Sequence, residues 1–229
     1  MKRWKLILTI SMIMLVILAG CAGVKNKTEA TSGVETADVT SEAKVENAPA
    51  EESPSDEQQE EKTIGGVSID FDYMRMSSMA SNQLAVWIED MDGNVVKTIY
   101  VTDFTAGRRG YGNREDALCH WVKAAEPDSM DETEIDAISG ATPQQGHQHF
   151  EWDLTDDAGQ KIPSGKYSVK LEGTLFWSSN VVYTGVFSVE EAGEGELELL
   201  TERSEPDNKD NENMIQNVRM TIMTENNSQ

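Results

Sequence analysis

The chain has 229 residues, a formal net charge of −22 and only 7% aromatic residues. Nucleic acid and anionic lipid both repel a surface of that charge, so nucleic-acid binding is excluded. The length allows one domain of ordinary size together with flanking segments.

The first predicted element is a signal peptide over residues 1–20. Basic residues supply a positively charged start, and residues 6–18 are almost wholly apolar. That stretch is too short to cross a membrane, which takes about 20 residues. Small residues then precede Cys21, in the order typical of a secretory signal. We therefore expect export from the cytosol.

Cys21 is the predicted site of a lipid anchor. The sequence L-A-G-C at residues 18–21 resembles the bacterial lipobox, whose cysteine sulfur receives a diacylglyceryl group before cleavage. Two acyl chains suffice for stable anchoring, at about 0.8 kcal/mol per buried methylene. We expect a protein bound to the cell membrane that faces the extracytosolic side, at a cell surface or in a periplasm. The alternative is an ordinary signal peptide with a chance cysteine.

Acidic segments flank the predicted domain. Residues 24–62 have no aromatic residue and are rich in Glu, Ser, Thr, Ala and Asp. Such a composition cannot bury enough apolar surface to offset chain entropy. We therefore predict a lipidated, disordered tether over residues 21–62. The acidic stretch 190–213 is predicted to be a long solvated loop, and residues 224–229 a disordered tail.

One domain, residues 63–223, is predicted between the tether and the tail. Strand-like segments cover residues 67–71, 84–89, 95–101, 149–154, 167–171, 181–189 and 214–223. Turn signals bound them, notably glycine-containing hairpin turns at residues 90–94 and 156–159. This pattern is typical of an antiparallel β-sandwich. The predicted core aromatic residues are Trp87, Trp152, Tyr167 and Phe187.

Residues 114–125 break the strand pattern. Apolar residues recur there at helical spacing; they are Leu118, Trp121, Val122 and Ala125. Asn113 is a suitable N-cap. We predict one short amphipathic helix across an end of the sandwich, with Trp121 in the core.

Several motifs resemble known families. The runs W-D-L-T-D-D-A-G-Q at 152–160 and I-P-S-G-K-Y at 162–167 look like part of the immunoglobulin-like domain of flagellar hook-capping and bacterial surface proteins. The runs N-Q-L-A-V-W-I-E-D at 82–90, G-N-V-V-K-T-I-Y-V-T at 93–102 and D-A-I-S-G-A-T-P at 136–143 resemble the predicted periplasmic proteins catalogued as domain of unknown function 2271. These resemblances imply a mainly β, immunoglobulin-like antiparallel sandwich outside the cytosol. They imply little chemistry.

The run D-A-I-S-G-A-T at residues 136–142 also resembles the acceptor motif of covalently flavinylated proteins. In those proteins a threonine hydroxyl is esterified to the phosphate of FMN by an extracytosolic flavin transferase. The resemblance implies that Thr142 carries the flavin, with Asp136, Ser139 and Gly140 as the rest of the motif.

Two alternatives to the flavin motif stay open. Acceptor motifs commonly continue with Thr or Ser, whereas here Pro143 follows and restricts the preceding residue to an extended backbone. The Ser-Gly pair could simply be a turn toward the next strand. A third hypothesis is non-covalent binding of a phosphate or redox ligand by Arg108 and Arg109.

The histidines suggest a possible metal site. His147 and His149 would point the same way in an extended segment. With His120 or Cys119 they could hold copper or zinc, since imidazole and thiolate suit those ions. The competing interpretation is a pair of exposed histidines on a strand edge, and on balance we expect no metal. Adjacent residues on a helix point about 100° apart, so Cys119 and His120 alone do not form a nucleophile–base pair.

The sequence contains no Ser-His-Asp order, phosphate loop or paired-carboxylate pattern that indicates catalysis, so we expect no enzyme. The first hypothesis is a membrane-anchored, extracytosolic binding or scaffold module that docks onto a surface partner through its loops and needs no cofactor. The alternative is an accessory or carrier protein of a flavin-dependent electron-transfer system, with FMN on Thr142 and a redox protein as partner.

Overall fold

The computed structural model describes residues 64–190, 193–207 and 210–224. The predicted signal peptide, the lipidation site Cys21 and the tether at residues 21–62 lie outside this part of the chain. Residues 225–229 of the predicted tail also lie outside it, while Thr224 belongs to the last strand.

Strands make up most of the described domain. They are β1 (Ile64–Tyr73), β2 (Gln83–Asp90), β3 (Val95–Thr102), β4 (Ser139–Gly140), β5 (Gly146–Trp152), β6 (Lys166–Phe176), β7 (Ser179–Ser188), β8 (Gly195–Glu196), β9 (Leu199–Ser204) and β10 (Ile215–Thr224). The α-helices are α1 (Asp103–Ala106), α2 (Arg108–Tyr111), α3 (Cys119–Ala125) and α4 (Glu132–Ile138), and short 3-10 helices cover Pro127–Ser129 and Glu212–Met214. Among the described residues, no helix is both long and apolar enough to span a membrane.

Two sheets form the sandwich. The four-stranded sheet has the order β5-β1-β10-β8, and the six-stranded sheet has the order β4-β3-β2-β6-β7-β9. Neighbouring strands run antiparallel except for the short parallel pair of β3 and β4. The predicted mainly β antiparallel sandwich is therefore confirmed.

The main core lies between the sheets. In β1, buried apolar residues recur at every second position from Val67 to Tyr73. Alternate residues of a strand point to opposite faces, so this series faces the other sheet. Most of the predicted core aromatic residues belong to this core: Trp152, Tyr167 and Phe187.

The two hairpin turns form where they were predicted. Gly93 adopts a φ of 85° in the turn between β2 and β3, and the N–H of Asp90 donates to the carbonyl of Asn94 at 3.0 Å. Gly159 adopts a φ of 74° in the second turn. A residue without Cβ takes up these positive φ values without strain, which is why glycine marks both turns.

The prediction of a long loop over residues 190–213 is wrong in part. β8 and β9 lie within that stretch, and β9 pairs with β7 from Gly185 and Leu199 to Asn180 and Ser204. β9 is an edge strand, and its side chains are largely exposed. Its acidic composition suggested a loop, although unpaired edges often carry charged residues.

The helix predicted over residues 114–125 is shorter than expected, and it is not alone. α3 begins at Cys119, and residues 115–118 form a turn. Leu118, with a φ of 48°, is the N-cap residue in place of the predicted Asn113. Its side chain is fully buried, so packing of that apolar residue decides where the helix begins. The predicted Trp121 is buried as expected.

A second, smaller apolar cluster lies on the opposite face of the six-stranded sheet. It joins residues of β2 and β3 to the helical segment above them: Ala85, Trp87, Val101, Ala106, Leu118, Trp121 and Ala125. Trp87, predicted as a core residue, is buried in this cluster and not between the sheets. We call this the outer cluster. It fixes α3 against the sheet and thereby positions the residues discussed next.

Candidate functional site

Cys119 and His120 meet a buried carboxylate on β6. Glu172 pairs across strands with Ala85 of the outer cluster, so it points to the same face, toward α3. His120 Nδ1 lies 2.9 Å from Glu172 Oε1, and Cys119 Sγ lies 3.6 Å from His120 Nδ1 and 3.9 Å from Glu172 Oε1. We call these three residues the Cys-His-Glu cluster.

Glu172 also completes the start of α3. The N–H of Trp121 donates to Oε2 at 2.9 Å, and the N–H of His120 donates to Oε1 at 3.3 Å. The helix has no side-chain cap of its own, and its first N–H groups would otherwise lack partners. A carboxylate from a neighbouring strand therefore satisfies them, and its negative charge suits the helix N-terminus.

The electrostatics of the cluster argue against a catalytic thiol. Burial, followed by the charge of Glu172, raises the pKa of Cys119 to about 11. At neutral pH Cys119 is therefore a protonated thiol, which is a poor nucleophile. The hydrogen bond with Glu172 raises the pKa of His120, against the opposing effect of burial. His120 Nδ1 faces both the thiol and the carboxylate, whereas a nucleophile–base–acid relay uses the two ring nitrogens separately.

A buried amide borders the cluster. Asn180 Nδ2 donates to the carbonyl of Asp116 at 3.1 Å and lies 3.8 Å from Cys119 Sγ. Asn180 Oδ1 is buried and has no hydrogen-bond partner among the described atoms. On its solvent side, His120 lines an open cleft of about 680 Å³ together with Glu89 and Lys170. The cluster is thus buried at its base and accessible at its rim.

His147 and His149 form a separate cluster on the four-stranded sheet. His149 Nδ1 lies 2.8 Å from Asp70 Oδ1, and His147 Nε2 lies 3.2 Å from the same oxygen. Both histidines are exposed on the edge strand β5, as the competing interpretation predicted. The hypothesis that His120 or Cys119 completes their site is wrong, because those two residues lie against β6 of the other sheet.

The D-A-I-S-G-A-T motif runs from a helix through a strand to an irregular segment. Asp136 is an exposed residue of α4, and Ser139–Gly140 forms β4, paired with β3. The interpretation of this pair as a turn is therefore wrong. Thr142 follows in the irregular segment that leads to β5 in the other sheet, and it is half-buried. The motif thus connects the edges of the two sheets.

Tyr100 holds this connection in place. Its hydroxyl donates to the carbonyl of Ala141 at 2.8 Å, and a Cβ on Gly140 would lie 3.0 Å from the tyrosine ring. The ring centroid of Tyr100 is 5.3 Å from that of Phe150, and both rings are half-buried. Burial raises the pKa of Tyr100, so the phenol stays protonated as a donor. The motif therefore lies beside a partly accessible aromatic surface.

The surroundings of the motif contain few candidate phosphate ligands. Asp136 lines an open cleft of about 440 Å³ together with other carboxylates, Asp128, Asp131 and Glu132. Such an acidic cleft disfavours a free phosphate. Arg108 and Arg109, the two residues proposed to bind a phosphate or redox ligand non-covalently, are both on α2. The side chain of Arg109 is exposed.

Large apolar side chains are exposed at one end of the sandwich. They are Met74, Met79, Phe104 and Trp177, and we call this surface the apolar end. The turn from β6 to β7 meets the loop from β1 to β2 there, since the N–H of Trp177 donates to the carbonyl of Ala80. The segment after β3 reaches the same end, since the Thr105 hydroxyl donates to Gln83 Oε1 at the start of β2. Trp177 is 52% exposed, and Arg114 Cζ lies 5.1 Å from the centroid of its ring.

Sequence reasoning missed several of these residues. Glu172 lies in an alternating strand, where a glutamate is ordinarily solvent-facing, and nothing local shows that a helix covers it. Tyr100 and Trp177 were assigned no role, because a tyrosine in a strand and a tryptophan in a turn have many uses. The available signal was the apolar face of residues 118–125, which required an apolar partner surface on the sheet.

The chain is similar to known proteins in two comparisons. Residues 66–200 match the model of a family described as predicted periplasmic protein, domain of unknown function 2271. Among solved structures, the chain is similar to truncated FlgD, a flagellar hook-capping protein, from Helicobacter pylori. The identity is 20%, the match covers 65% of this chain and 93% of that chain, and the TM-score is 0.27. No protein with a curated description matches the sequence.

Proposed function

Because the chain belongs to the family of predicted periplasmic proteins called domain of unknown function 2271, we propose that it is a non-enzymatic binding module on the extracytosolic side of the membrane. It docks onto a protein partner through the apolar end. The observation that carries this proposal is the exposure of several large apolar side chains at a single end of the sandwich. Clustered apolar exposure is typical of interaction sites, whereas single exposed apolar residues are ordinary.

The residue types at the apolar end are those of protein interfaces. Tryptophan, methionine and arginine are enriched at interface centres, and tryptophan and arginine dominate binding free energies. Trp177 is supported from below by Arg114, whose Nε and Nη1 atoms are buried without hydrogen-bond partners among the described residues. These two atoms have no surface open to a docking partner, so Arg114 contributes to this end through its cation–π contact with the exposed Trp177 ring.

The charge of the chain indicates the chemistry of the partner. A net charge of −22 repels anionic lipid and other acidic proteins. A partner with an apolar contact surface and a positive net charge would be complementary to a chain of this composition. Complementary charge mainly accelerates association and selects the partner, while the apolar contact supplies affinity.

Site-specific photo-crosslinking in the native host tests the docking proposal. A benzophenone amino acid replaces Trp177, and in a matched control it replaces Met91, which is exposed in the turn between β2 and β3 at the opposite end. We expect a discrete adduct with one host protein from position 177 and none from position 91. Trp177→Ala should weaken binding of that purified partner by about tenfold or more.

Three outcomes would refute docking at the apolar end. One is crosslinking of equal yield from both positions, and another is an adduct of position 177 with a second copy of the chain. The third is an unchanged affinity for the purified partner in Trp177→Ala. Crosslinks to lipid alone would also contradict a protein partner.

We further propose that a lipid on Cys21 holds the module to the membrane. The L-A-G-C sequence supports this, because its cysteine follows a signal-like segment. Cys21→Ser should abolish labelling with radioactive palmitate and release the protein from washed membranes, while its thermal unfolding stays unchanged. Full membrane retention of Cys21→Ser would show that the anchor is not a lipid on this sulfur.

A second candidate function, carriage of covalent FMN at Thr142, is favoured by a specific observation. The Ser-Gly pair of the motif is an edge strand held by β3 and Tyr100, and in the segment that follows it Ala141 is exposed and Thr142 half-buried. An accessible segment is what a separate flavin transferase would need. The half-buried rings of Tyr100 and Phe150, which are tilted by 36° to each other, offer aromatic surface that a flavin ring would contact.

The residues present are compatible with a covalent flavin and less so with a free one. FMN at this position would supply one-electron and two-electron redox chemistry. Thr142 would hold the flavin through an ester of its hydroxyl. Gly140 has no Cβ, so the Tyr100 ring can pack closely against it, and the Tyr100 hydroxyl fixes the backbone by its hydrogen bond to Ala141. An ester tolerates the acidic surroundings, which would repel the two negative charges of free FMN.

Co-expression with a flavin transferase tests this candidate. The modified protein should gain the mass of FMN less one water, located on Thr142 by peptide mapping. Thr142→Ala should lose the added mass and keep its fold, whereas Ser139→Ala, the matched control, should keep the added mass. An unmodified and colourless co-expressed protein would refute the flavin carrier and leave the docking proposal intact.

A further inference from the structure

We propose that Cys119, His120 and Glu172 form a binding site for a zinc ion, with one coordination position open toward solvent. Neither the family nor the docking proposal assigns a role to these residues. The metal site would be independent of both Thr142 and the apolar end.

The distances within the Cys-His-Glu cluster match a tetrahedral zinc site. Zinc bonds of about 2.3 Å to sulfur and about 2.0–2.2 Å to nitrogen and oxygen place neighbouring ligand atoms about 3.3–3.6 Å apart. The observed separations are 3.6 Å between Cys119 Sγ and His120 Nδ1, 3.9 Å between Sγ and Glu172 Oε1, and 2.9 Å between Nδ1 and Oε1. Shifts of a few tenths of an ångström would bring all three atoms to one ion.

The charge of the site suits a divalent cation. A thiolate and a carboxylate would together neutralise Zn²⁺, and imidazole is a neutral ligand that zinc also favours. The other charged residues nearby are acidic Asp116 and Glu202 and basic Lys170. Binding transfers the Cys119 thiol proton to solvent as the sulfur–zinc bond forms.

The ligands lie on packed elements and have supporting contacts. Trp121 N–H holds Glu172 Oε2 at 2.9 Å, which leaves Oε1 facing the histidine and the cysteine. Contacts of this kind orient metal ligands and contribute to affinity. Asn180 Oδ1, a buried acceptor without a described partner, lies in the amide next to Cys119 Sγ. The Asn180 amide thus borders the sulfur on the buried side of the site.

Capping of α3 by Glu172 already explains part of this arrangement. Capping alone does not require a cysteine and a histidine ring to converge on the same carboxylate oxygen. A catalytic relay is also a poor explanation, because one ring nitrogen faces both neighbours. Zinc coordination accounts for all three side chains together. Copper suits the same donors and is one outcome of the experiment.

The experiment uses residues 22–229, in which Cys119 is the only cysteine. Zinc affinity is measured by competition with a chromophoric chelator, and Co²⁺ serves as a spectroscopic probe. We expect one zinc ion per chain, a tetrahedral cobalt spectrum with a thiolate charge-transfer band, and a raised melting temperature with zinc. Cys119→Ser should lose the charge-transfer band and weaken zinc binding by at least about 100-fold.

The matched control is the double variant His147→Ala/His149→Ala, which removes the exposed histidine pair and should bind zinc like the wild type. Cys119→Ser must unfold at the wild-type temperature without metal, so that its loss of affinity reports a ligand. Zinc binding that disappears in the double histidine variant, or persists unchanged in Cys119→Ser, would overturn the proposal. Failure of the wild type to bind zinc at micromolar concentration would do the same, as would a clear preference for copper.

Discussion

The two faces of the six-stranded sheet are both buried along β2, yet they differ in chemistry. The inward residues Leu84, Val86 and Ile88 are purely apolar. The outward face has Trp87 next to Glu89, whose carboxylate accepts a hydrogen bond from the indole N–H at 2.7 Å and pairs with Lys170. The inward face is a dry core, whereas the outer layer combines apolar packing with buried charge.

This difference separates stability from candidate function. A residue between the sheets stabilises the fold through area removed from water. Buried charges in the outer layer stabilise the fold less than apolar burial does, because the cost of their desolvation offsets their attraction. In the same layer Cys119 and His120 converge on buried Glu172 and have raised pKa values, a combination typical of functional sites. The outer layer is therefore where we place the metal site, and the predictions below test this division.

The largest expected effect is in the inward core. Trp152→Ala removes a buried ring that packs at 6.1 Å from Phe187 and should lower the free energy of unfolding by about 3–5 kcal/mol. The loss is measured by urea unfolding at unchanged m-value. Trp177→Ala, an exposed tryptophan, is the control and should change stability by no more than about 0.5 kcal/mol. Similar losses in both variants would contradict the assigned core.

In the outer layer, Glu172→Gln should lower the free energy of unfolding by about 1–3 kcal/mol, because buried N–H groups of α3 lose a charged acceptor. Since Glu172 raises the pKa of His120, their interaction stabilises the fold below about pH 6.5 and is lost as pH rises through the raised pKa. The stability gap between wild type and variant should therefore narrow from pH 6 to pH 9. NMR titration should show a lower His120 pKa in the variant. A gap that widens over this range would contradict the ion pair.

A smaller effect is expected at α4, which precedes the flavin-like motif. The Asp131 side chain accepts hydrogen bonds from the N–H groups of Thr133 and Glu134 at 2.8 and 2.9 Å. Asp131→Ala removes this cap and should lower the free energy of unfolding by about 1 kcal/mol, measured by thermal unfolding. Thr133→Ala keeps the cap and is the control. An equal loss in the two variants would show that α4 does not depend on its capping box.

The smallest effect is expected at the exposed histidine pair. Hydrogen bonds that His149 donates to Glu151, and secondly to Asp70, raise the pKa of His149. Both partners are near the surface, so Glu151→Gln and Asp70→Asn should each change stability by less than about 1 kcal/mol. NMR titration should show the larger fall in the His149 pKa for Glu151→Gln. Glu196→Gln on the distant strand β8 serves as control and should leave that pKa unchanged.

The sequence by itself determined the β-sandwich and most of its strands. Alternating apolar residues and glycine turns are local signals, because side chains of a strand alternate between faces and a positive φ favours glycine. For that reason both hairpin turns and the core residues Trp152, Tyr167 and Phe187 could be predicted. The family resemblance likewise rests on local runs of residues, and the match over residues 66–200 confirms it.

Only the tertiary structure decided where the candidate sites are. Glu172 lies 53 positions from Cys119 in sequence, and the two meet because α3 packs on the outward face of β6. β4 and β9 are strands because they pair with the edges of the sheet, at β3 and β7. The sequence predicted a turn and an acidic loop at these positions. Such contacts depend on which surfaces remain available after the main core has formed, and no local pattern encodes that choice. The same packing assigned the histidines to two separate clusters.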